Sequence, residues 1–333
     1  MKRLILNYLA IVAIIIMATM TTSCVKDDDK SSLPKILDGY GVNKIAFDSK
    51  GNAWIIAWKL KTNSETKYYI IRYNAQETVI YHSENSILPE DFWIMDIAVD
   101  KNDNVWIGGS GGLLKYNGKE FTFYNTQNTA MPEDIAWSIA VDSKNNIWMA
   151  SCRVRQGGLV KYDGTEWTVY TPDNSDLPVN MIHSIAVDQS DNVWLALGEY
   201  VTQGSLVKIS DDHWNVYTEK ELGFQPYWWG RIQSDSKNRL WGSISYLFSS
   251  YSGPHFPHFI IFDGKETTLL SYDDLPKISM DNTDYVWYFG GLWIGNQWTK
   301  LDPSEFGGLS VRVVKEAPDG RIWFGAEDGI YIR

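Results

Sequence analysis

An aspartate followed six residues later by a tryptophan recurs at Asp48 and Trp54, Asp100 and Trp106, Asp142 and Trp148, Asp188 and Trp194, Asp235 and Trp241, and Asp281 and Trp287. A seventh copy keeps the spacing but carries Ala317 ahead of Trp323. The tryptophans lie 52, 42, 46, 47, 46 and 36 residues apart. A period of that length marks one supersecondary unit that cannot bury its apolar face alone, so neighbouring copies must cover one another. The repeat also accounts for much of the tryptophan content, 16 in 333 residues.

Each copy reads as strands. Stretches such as Ile97-Ala98-Val99 and Ile185-Ala186-Val187 precede the aspartate, too short for helices and rich in branched residues. Three residues after the aspartate position stand Gly51, Asp103, Asn145, Asp191, Asn238, Asp284 and Gly320. All are residue types that tolerate the positive φ of a tight hairpin, and the aspartate can accept bonds from the turn's own backbone. The tryptophan opens a second strand. Gly112 to Tyr116, Gly158 to Tyr162 and Ser205 to Ile209 read as a third, and Glu120 to Tyr124, Glu166 to Tyr170 and His213 to Tyr217 as a fourth. Four strands per repeat make a propeller blade. The expected fold is therefore all-β, a seven-bladed β-propeller of four-stranded antiparallel blades over residues 33–333, with the tryptophan rings filling the wedges between blades. The last repeat stops after its third strand at Arg333, so Leu33 to Leu37 is expected to supply the fourth and close the ring, with Pro34 acceptable on an edge.

The combined line, from the aspartate turn through Gly-Leu-x-Lys-Tyr to a fourth-strand aromatic, resembles the two-component regulator propeller repeat. That family forms periplasmic sensor halves of hybrid histidine kinases in gut Bacteroidetes. The resemblance spans about residues 38–333 and implies a sensor-type propeller; with no kinase, receiver or helix-turn-helix segment in the sequence, the architecture expected is that of a sensor without an output domain.

Residues 1–23 stand apart. Lys2 and Arg3 precede an apolar run from Leu4 to Met20 that ends in Thr21, Thr22 and Ser23, the pattern of an export signal. Cys24 follows, and the junction resembles a bacterial lipobox, which implies a lipidated Cys24 at the mature N-terminus. Lys26-Asp27-Asp28-Asp29, within an acidic tether at 24–32, resembles the tag that sends such lipoproteins to the cell surface. The expected location is the outer membrane, facing the surface or else the periplasm, with membrane contact through the lipid alone. The formal net charge of -11 disfavours a phosphate backbone, so no nucleic-acid partner is expected. Beyond Cys24 only Cys152 remains, which leaves no pair for an internal disulfide.

Function in a propeller concentrates on the loops that lead into each first strand. Trp93, Trp137, Trp228 and Trp229 precede first strands, Trp293 does not, and Trp58 opens a loop on the same face. Exposed indoles beside polar groups hold sugar rings, whereas buried ones only pack. Aligning the positions four and five before each anchor gives an axial rim that includes Lys44, Asp96, Trp137, His183, Arg231, Lys277 and Arg312. Four of these are cations that could hold a carboxylate or sulfate, or else pair with acids of neighbouring blades. The candidate ligand site is Trp93, Asp96, Trp137, His183, Trp228, Trp229, Arg231, Lys277 and Arg312. The loop 246–258 is read as a lid; its His255 and His258 lack a third ligand, and neither a metal nor another cofactor is expected. No nucleophile elbow, HExxH, P-loop or dinucleotide motif is present, and Cys152 lacks a histidine base. The expected function is non-catalytic binding of an oligosaccharide or related small ligand, with a membrane protein as a further partner. The alternatives are a propeller lyase or lactonase and a protein-interaction scaffold.

Overall fold

The structure is a computed structural model and describes residues 33–60, 65–153, 156–198, 204–211, 213–226, 228–245, 258–270, 285–288, 291–294 and 297–333. The leader, Cys24 and the acidic tether lie outside the described residues, as do residues 246–257 of the lid, and Lys277. Among the described residues no helix is long and apolar enough to cross a membrane.

The chain opens with β1 (Lys35–Ile36). The first blade is β2 (Gly41–Phe47), β3 (Ala53–Leu60), β4 (Thr66–Tyr73) and β5 (Thr78–Tyr81). The second is β6 (Ile94–Val99), β7 (Val105–Gly109), β8 (Gly112–Tyr116) and β9 (Phe121–Tyr124). The third is β10 (Ile139–Val141), β11 (Ile147–Arg153), β12 (Gln156–Tyr162) and β13 (Trp167–Tyr170). The fourth is β14 (Ile182–Val187), β15 (Val193–Leu197), β16 (Ser205–Ser210) and β17 (His213–Tyr217), followed by a one-turn helix α1 (Glu219–Leu222). The fifth is β18 (Trp228–Ser234), β19 (Leu240–Ser245), β20 (His258–Phe262) and β21 (Thr267–Leu270). At the sixth repeat stand β22 (Tyr285–Tyr288), β23 (Gly291–Ile294) and β24 (Gln297–Lys300). The closing blade joins both ends of the domain in the order β1-β27-β26-β25, with β25 (Val311–Glu316), β26 (Ile322–Ala326) and β27 (Ile330–Ile332). All pairings are antiparallel, and in the closing blade Lys35 faces Tyr331 and Ile36 faces Ile330.

The blade count is a correction to the sequence reading. Among the described residues six four-stranded blades are present rather than seven, and the sixth repeat has a sheet of three strands. The physical reason lies in what the Asp-Trp line marks. It fixes the turn into the second strand and carries no information about the strand before it. In the sixth repeat that preceding stretch is Pro276-Lys-Ile-Ser-Met280, whose proline brings no backbone N–H. It lies outside the described residues.

First strands of successive blades pack against one another, as β2 does with β6, β6 with β10, β10 with β14, β14 with β18, and β2 with β25. They therefore surround the axis. Between blades the anchor tryptophans are buried in shared apolar clusters: Trp54 with Ile94, Ile97 and Val105 of the next blade, Trp148 with Ile185 and Val193, and Trp323 with Val42 and Ile45. Each ring fills the wedge for which its size suits it.

Candidate functional site

The described first strands bend at the same place. The pairing register slips by one residue at Asn43, Met95, His183 and Arg312, and between Trp229 and Ile232 in the fifth blade. In the third blade the Trp137 N–H donates to Ala150 O, whose own N–H donates to Ser138 O, the same two-against-one arrangement. A bulge of this kind re-aims a side chain and leaves a backbone group in need of a partner. Here the partner comes from the preceding blade. Asp96 Oδ2 accepts from the Ile139 N–H at 3.0 Å, Ser138 Oγ from the Ile185 N–H at 3.1 Å, and Ser184 Oγ from the Ile232 N–H at 3.1 Å. Asp96, Ser138 and Ser184 thus tie consecutive blades together round the axis.

Lysine cannot accept a hydrogen bond, and at the matching position of the first blade Lys44 instead places its ammonium 2.9 Å from Asp96 Oδ1. Burial raises the Asp96 carboxyl, but the charges of Lys44 and Arg231 outweigh it and leave its pKa below the ordinary carboxylate value. Burial lowers Lys44, Arg231 repels it, and Asp96 recovers part of the loss. A further cation, absent from the sequence-based site, stands two residues before the closing blade's anchor position. Lys315 occupies the column that holds Ala46, Ala98, Ala140 and Ala186 in the first four blades. Desolvation lowers its pKa, the charge of Arg231 lowers it further, and Glu316 recovers part of the loss. On the columns four and two residues before the anchor, among the described residues, the charged groups are Lys44, Arg231 and Lys315 with the one carboxylate of Asp96. The signal was present in the sequence as a long basic side chain in a column of alanines.

The remaining sequence-derived candidates fall into three groups. Trp93 and Trp137 stand out from the loops leading into β6 and β10, with 52% and 37% of their surface exposed. Trp93 is held by its backbone, its N–H donating to Ser110 Oγ at 2.9 Å and its carbonyl accepting from the Ser110 N–H. Arg312 is engaged elsewhere: its guanidinium lies 5.4 Å from the Trp58 ring centre and 2.9 Å from Glu327 Oε1. Gly41 makes room for that ring, since a Cβ there would come within 2.1 Å of Trp58 Cε2. Two residues are interior. His183 is buried with Nε2 2.8 Å from Gly198 O, and burial lowers its pKa. Trp229 is 1% exposed and packs its ring against Phe224. Trp228 opens β18 opposite Ser245, and Lys277 lies outside the described residues.

Cys152 is buried, with the Ile182 N–H donating to its Sγ at 3.4 Å, and burial pushes the thiol up to about 11. A thiol held that high is a poor nucleophile at neutral pH. Among the described residues no group of three or more His, Cys, Asp or Glu side chains is arranged to hold a metal ion.

No family model matches the chain, and no curated protein matches it. Solved structures do. A catalytically inactive virginiamycin B lyase from Staphylococcus aureus, in complex with quinupristin, is similar with a TM-score of 0.60 at 13% identity, over 90% of this chain and 97% of that one. YCF48 from Cyanidioschyzon merolae is similar with a TM-score of 0.59 at 13% identity, over 90% and 97%. The extracellular domain of a hybrid two-component system from B. thetaiotaomicron aligns at a TM-score of 0.48 and 17% identity over 93% of this chain, which spans 40% of that protein's length. Identities this low show the propeller fold alone.

Proposed function

We propose that this chain is an exported, lipid-anchored propeller that captures an acidic oligosaccharide without transforming it. The observation that carries the reading is the axial charge pattern, in which Lys44, Arg231 and Lys315 gather on the first-strand columns with the single carboxylate of Asp96, in a chain of net charge -11. Cations crowded inside protein walls favour an anion that neutralises them. The exposed indoles of Trp93 and Trp137 supply flat faces on which a sugar's C–H surface rests. Anchoring through Cys24 would keep the protein at the outer membrane, and a sensor role would add a membrane protein partner.

The test is a glycan array that pairs uronate-containing and sulfated oligosaccharides with neutral counterparts, read with and without EDTA. Retention of the acidic members alone, unchanged by EDTA and with no product formed, supports the reading. The double variant Arg231→Ala, Lys315→Ala should weaken that binding by about tenfold or more at an unchanged melting temperature. Equal retention of neutral and acidic glycans, or a double variant that binds like the parent, would sink it. Cys24→Ala should move the protein from the membrane fraction to the soluble one, and failure to do so removes the anchor from the proposal.

A further inference from the structure

The seams between blades are lined by rings in a regular order. The anchor tryptophan of one blade meets the tyrosine ending its fourth strand, then the ring ending the next blade's third strand, then an aromatic opening that blade's fourth strand. Between the first and second blades these are Trp54, Tyr81, Tyr116 and Phe121, and between the second and third Trp106, Tyr124, Tyr162 and Trp167. The two rings of the following blade close on each other: Tyr116 and Phe121 lie 4.8 Å apart, and Tyr162 stacks on Trp167 at 4.2 Å and 19°.

The seam between the third and fourth blades breaks the order. Trp148 stacks on Tyr170 at 6.2 Å, and Tyr170 meets Trp214 at 5.4 Å, but the third-strand position holds Ile209, where Tyr73, Tyr116, Tyr162 and Phe262 stand in other blades. The missing ring leaves a cleft of about 410 Å³ lined by Trp148, Tyr170, Ile209 and Trp214, with Asn174, Ser175 and Asp176 at its rim. That volume falls within the range of small-ligand sites. The ring that covers Trp167 in the previous seam has no counterpart over Trp214.

The rim defines which chemistry fits. Asn174 is committed to its own loop, Oδ1 accepting from the Thr171 N–H at 2.7 Å and Nδ2 donating to Val169 O at 3.0 Å. Ser175 Oγ donates to Thr171 O at 2.7 Å. The same loop in the first two blades has Asn85 with Ser86 and Asn128 with Thr129 in these roles. Asp176 has no such duty. The equivalent residues are Ile87 and Ala130, and its exposed carboxylate makes no hydrogen bond or ion pair among the described residues. The cleft therefore presents aromatic faces and a carboxylate acceptor. A ligand for it brings a flat, largely apolar ring face together with hydroxyl donors, and carries no negative charge of its own.

We propose that this seam is a second binding site, for an uncharged pyranose ring that takes the place of the missing aromatic, with its C–H face on Trp214 and its hydroxyls on Asp176. The site shares no residue with the axial cations and stands or falls separately from the reading built on them. It favours a neutral ring where the axial cations favour an acidic one, so a glycan with acidic and neutral sugars could engage both.

The experiment follows the indole N–H signal of Trp214, assigned with Trp214→Phe, in NMR titrations of the whole propeller domain with the methyl glycosides of glucose, galactose, mannose and xylose. At least one should shift that signal at millimolar concentration, and glucuronate should do so less strongly. Ile209→Tyr, which restores the ring seen in neighbouring seams, should abolish the shift without lowering the melting temperature. Asp176→Ala, an exposed change that does not burden the core, should weaken it about tenfold. No shift with any of the four glycosides overturns the proposal, as does a shift that persists in both variants. A response to phenol or indole with none to the glycosides would assign the cleft to an aromatic side chain instead. Binding of acidic oligosaccharides at the axis should be unaffected by either variant, so loss of one activity with retention of the other identifies which proposal has failed.

Discussion

The turns of the second blade and the closing blade share one backbone path, but the first is anchored by Asp100 and the second has Ala317 in its place. In the second, the Asp100 N–H donates to Asn104 O and the Asp103 N–H to Asp100 O; in the closing blade Ala317 and Arg321, then Gly320 and Ala317, make the same two bonds. Asp100 then does more than close a turn. Its Oδ1 accepts from the N–H groups of Asn102 and Asn104, and its Oδ2 from Asn104 Nδ2 at 2.8 Å and from the Trp106 indole at 3.0 Å. Ala317 offers none of this, and the buried Trp323 Nε1 has no hydrogen-bond partner. The aspartate is thus the link between turn and wedge, fixing the ring that the next blade packs on. The closing blade has its own tie, β1 with the Lys35 ammonium on Asp328.

The largest effect should come from removing that link where it is complete. Asp100→Ala would strip the acceptor from two backbone N–H groups, an amide and a buried indole, and should cost about 3 to 5 kcal/mol. Trp106→Ala should cost a similar amount through the cavity it leaves. Because the two share a hydrogen bond and a wedge, the double variant should lose clearly less than the sum of the singles. Urea unfolding of the four proteins tests this, and additive losses would mean that the aspartate serves the turn alone.

The reverse change should act in the closing blade. Ala317→Asp supplies the acceptor that Trp323 lacks and should stabilise the protein by about 1 kcal/mol. Thermal unfolding would show a rise, and a fall would indicate that the closing blade no longer accommodates a buried carboxylate.

This contrast also explains what the sequence could and could not convey. The spacing from aspartate to tryptophan was legible because a tight turn and a wedge ring impose it together, and the loss of the aspartate at Ala317 was visible without its consequence. The line says nothing about the strand that precedes it, so the number of complete blades was overstated. Adjacent residues in a strand point to opposite faces, so Trp228 and Trp229 could not both have faced one way, and the structure buries Trp229. Lys315 and Ile209 each stood out in an aligned column, one the basic residue in a column that is alanine in the first four blades and the other an aliphatic residue where neighbouring blades have rings. Both signals lie along the strands, away from the rim positions where a ligand-facing residue is expected. The bonds from Asp96, Ser138 and Ser184 to the next blade could not be read at all, since a bulge depends on pairing between strands.

The smallest effect concerns a second ring of ties, on the face of the turns. In the second to fifth blades the positive-φ residue of the turn accepts from the backbone N–H that follows the anchor aspartate of the previous blade: Asp103 from Ser49, Asn145 from Lys101, Asp191 from Ser143, and Asn238 from Gln189, at 2.8 or 2.9 Å. Two seams use a carboxylate and two a neutral amide for the same bond. The Ser49 N–H and hydroxyl hold Asp103 below its ordinary value of 3.8, and the Ser143 hydroxyl and N–H do the same for Asp191. A carboxylate whose folded pKa is depressed contributes stability that is present above its unfolded pKa and lost as the pH falls through the lower folded value. The asparagine seams carry no such dependence. The double variant Asp103→Asn, Asp191→Asn should therefore leave stability at neutral pH nearly unchanged, since Asn145 and Asn238 already make the bond. Below about pH 4 it should unfold less readily with acid than the parent. Acid titrations followed by tryptophan fluorescence would show the midpoint moving to lower pH. A midpoint that stays in place would mean that these two carboxylates contribute nothing to the acid limb and that the ties act through their hydrogen bonds alone.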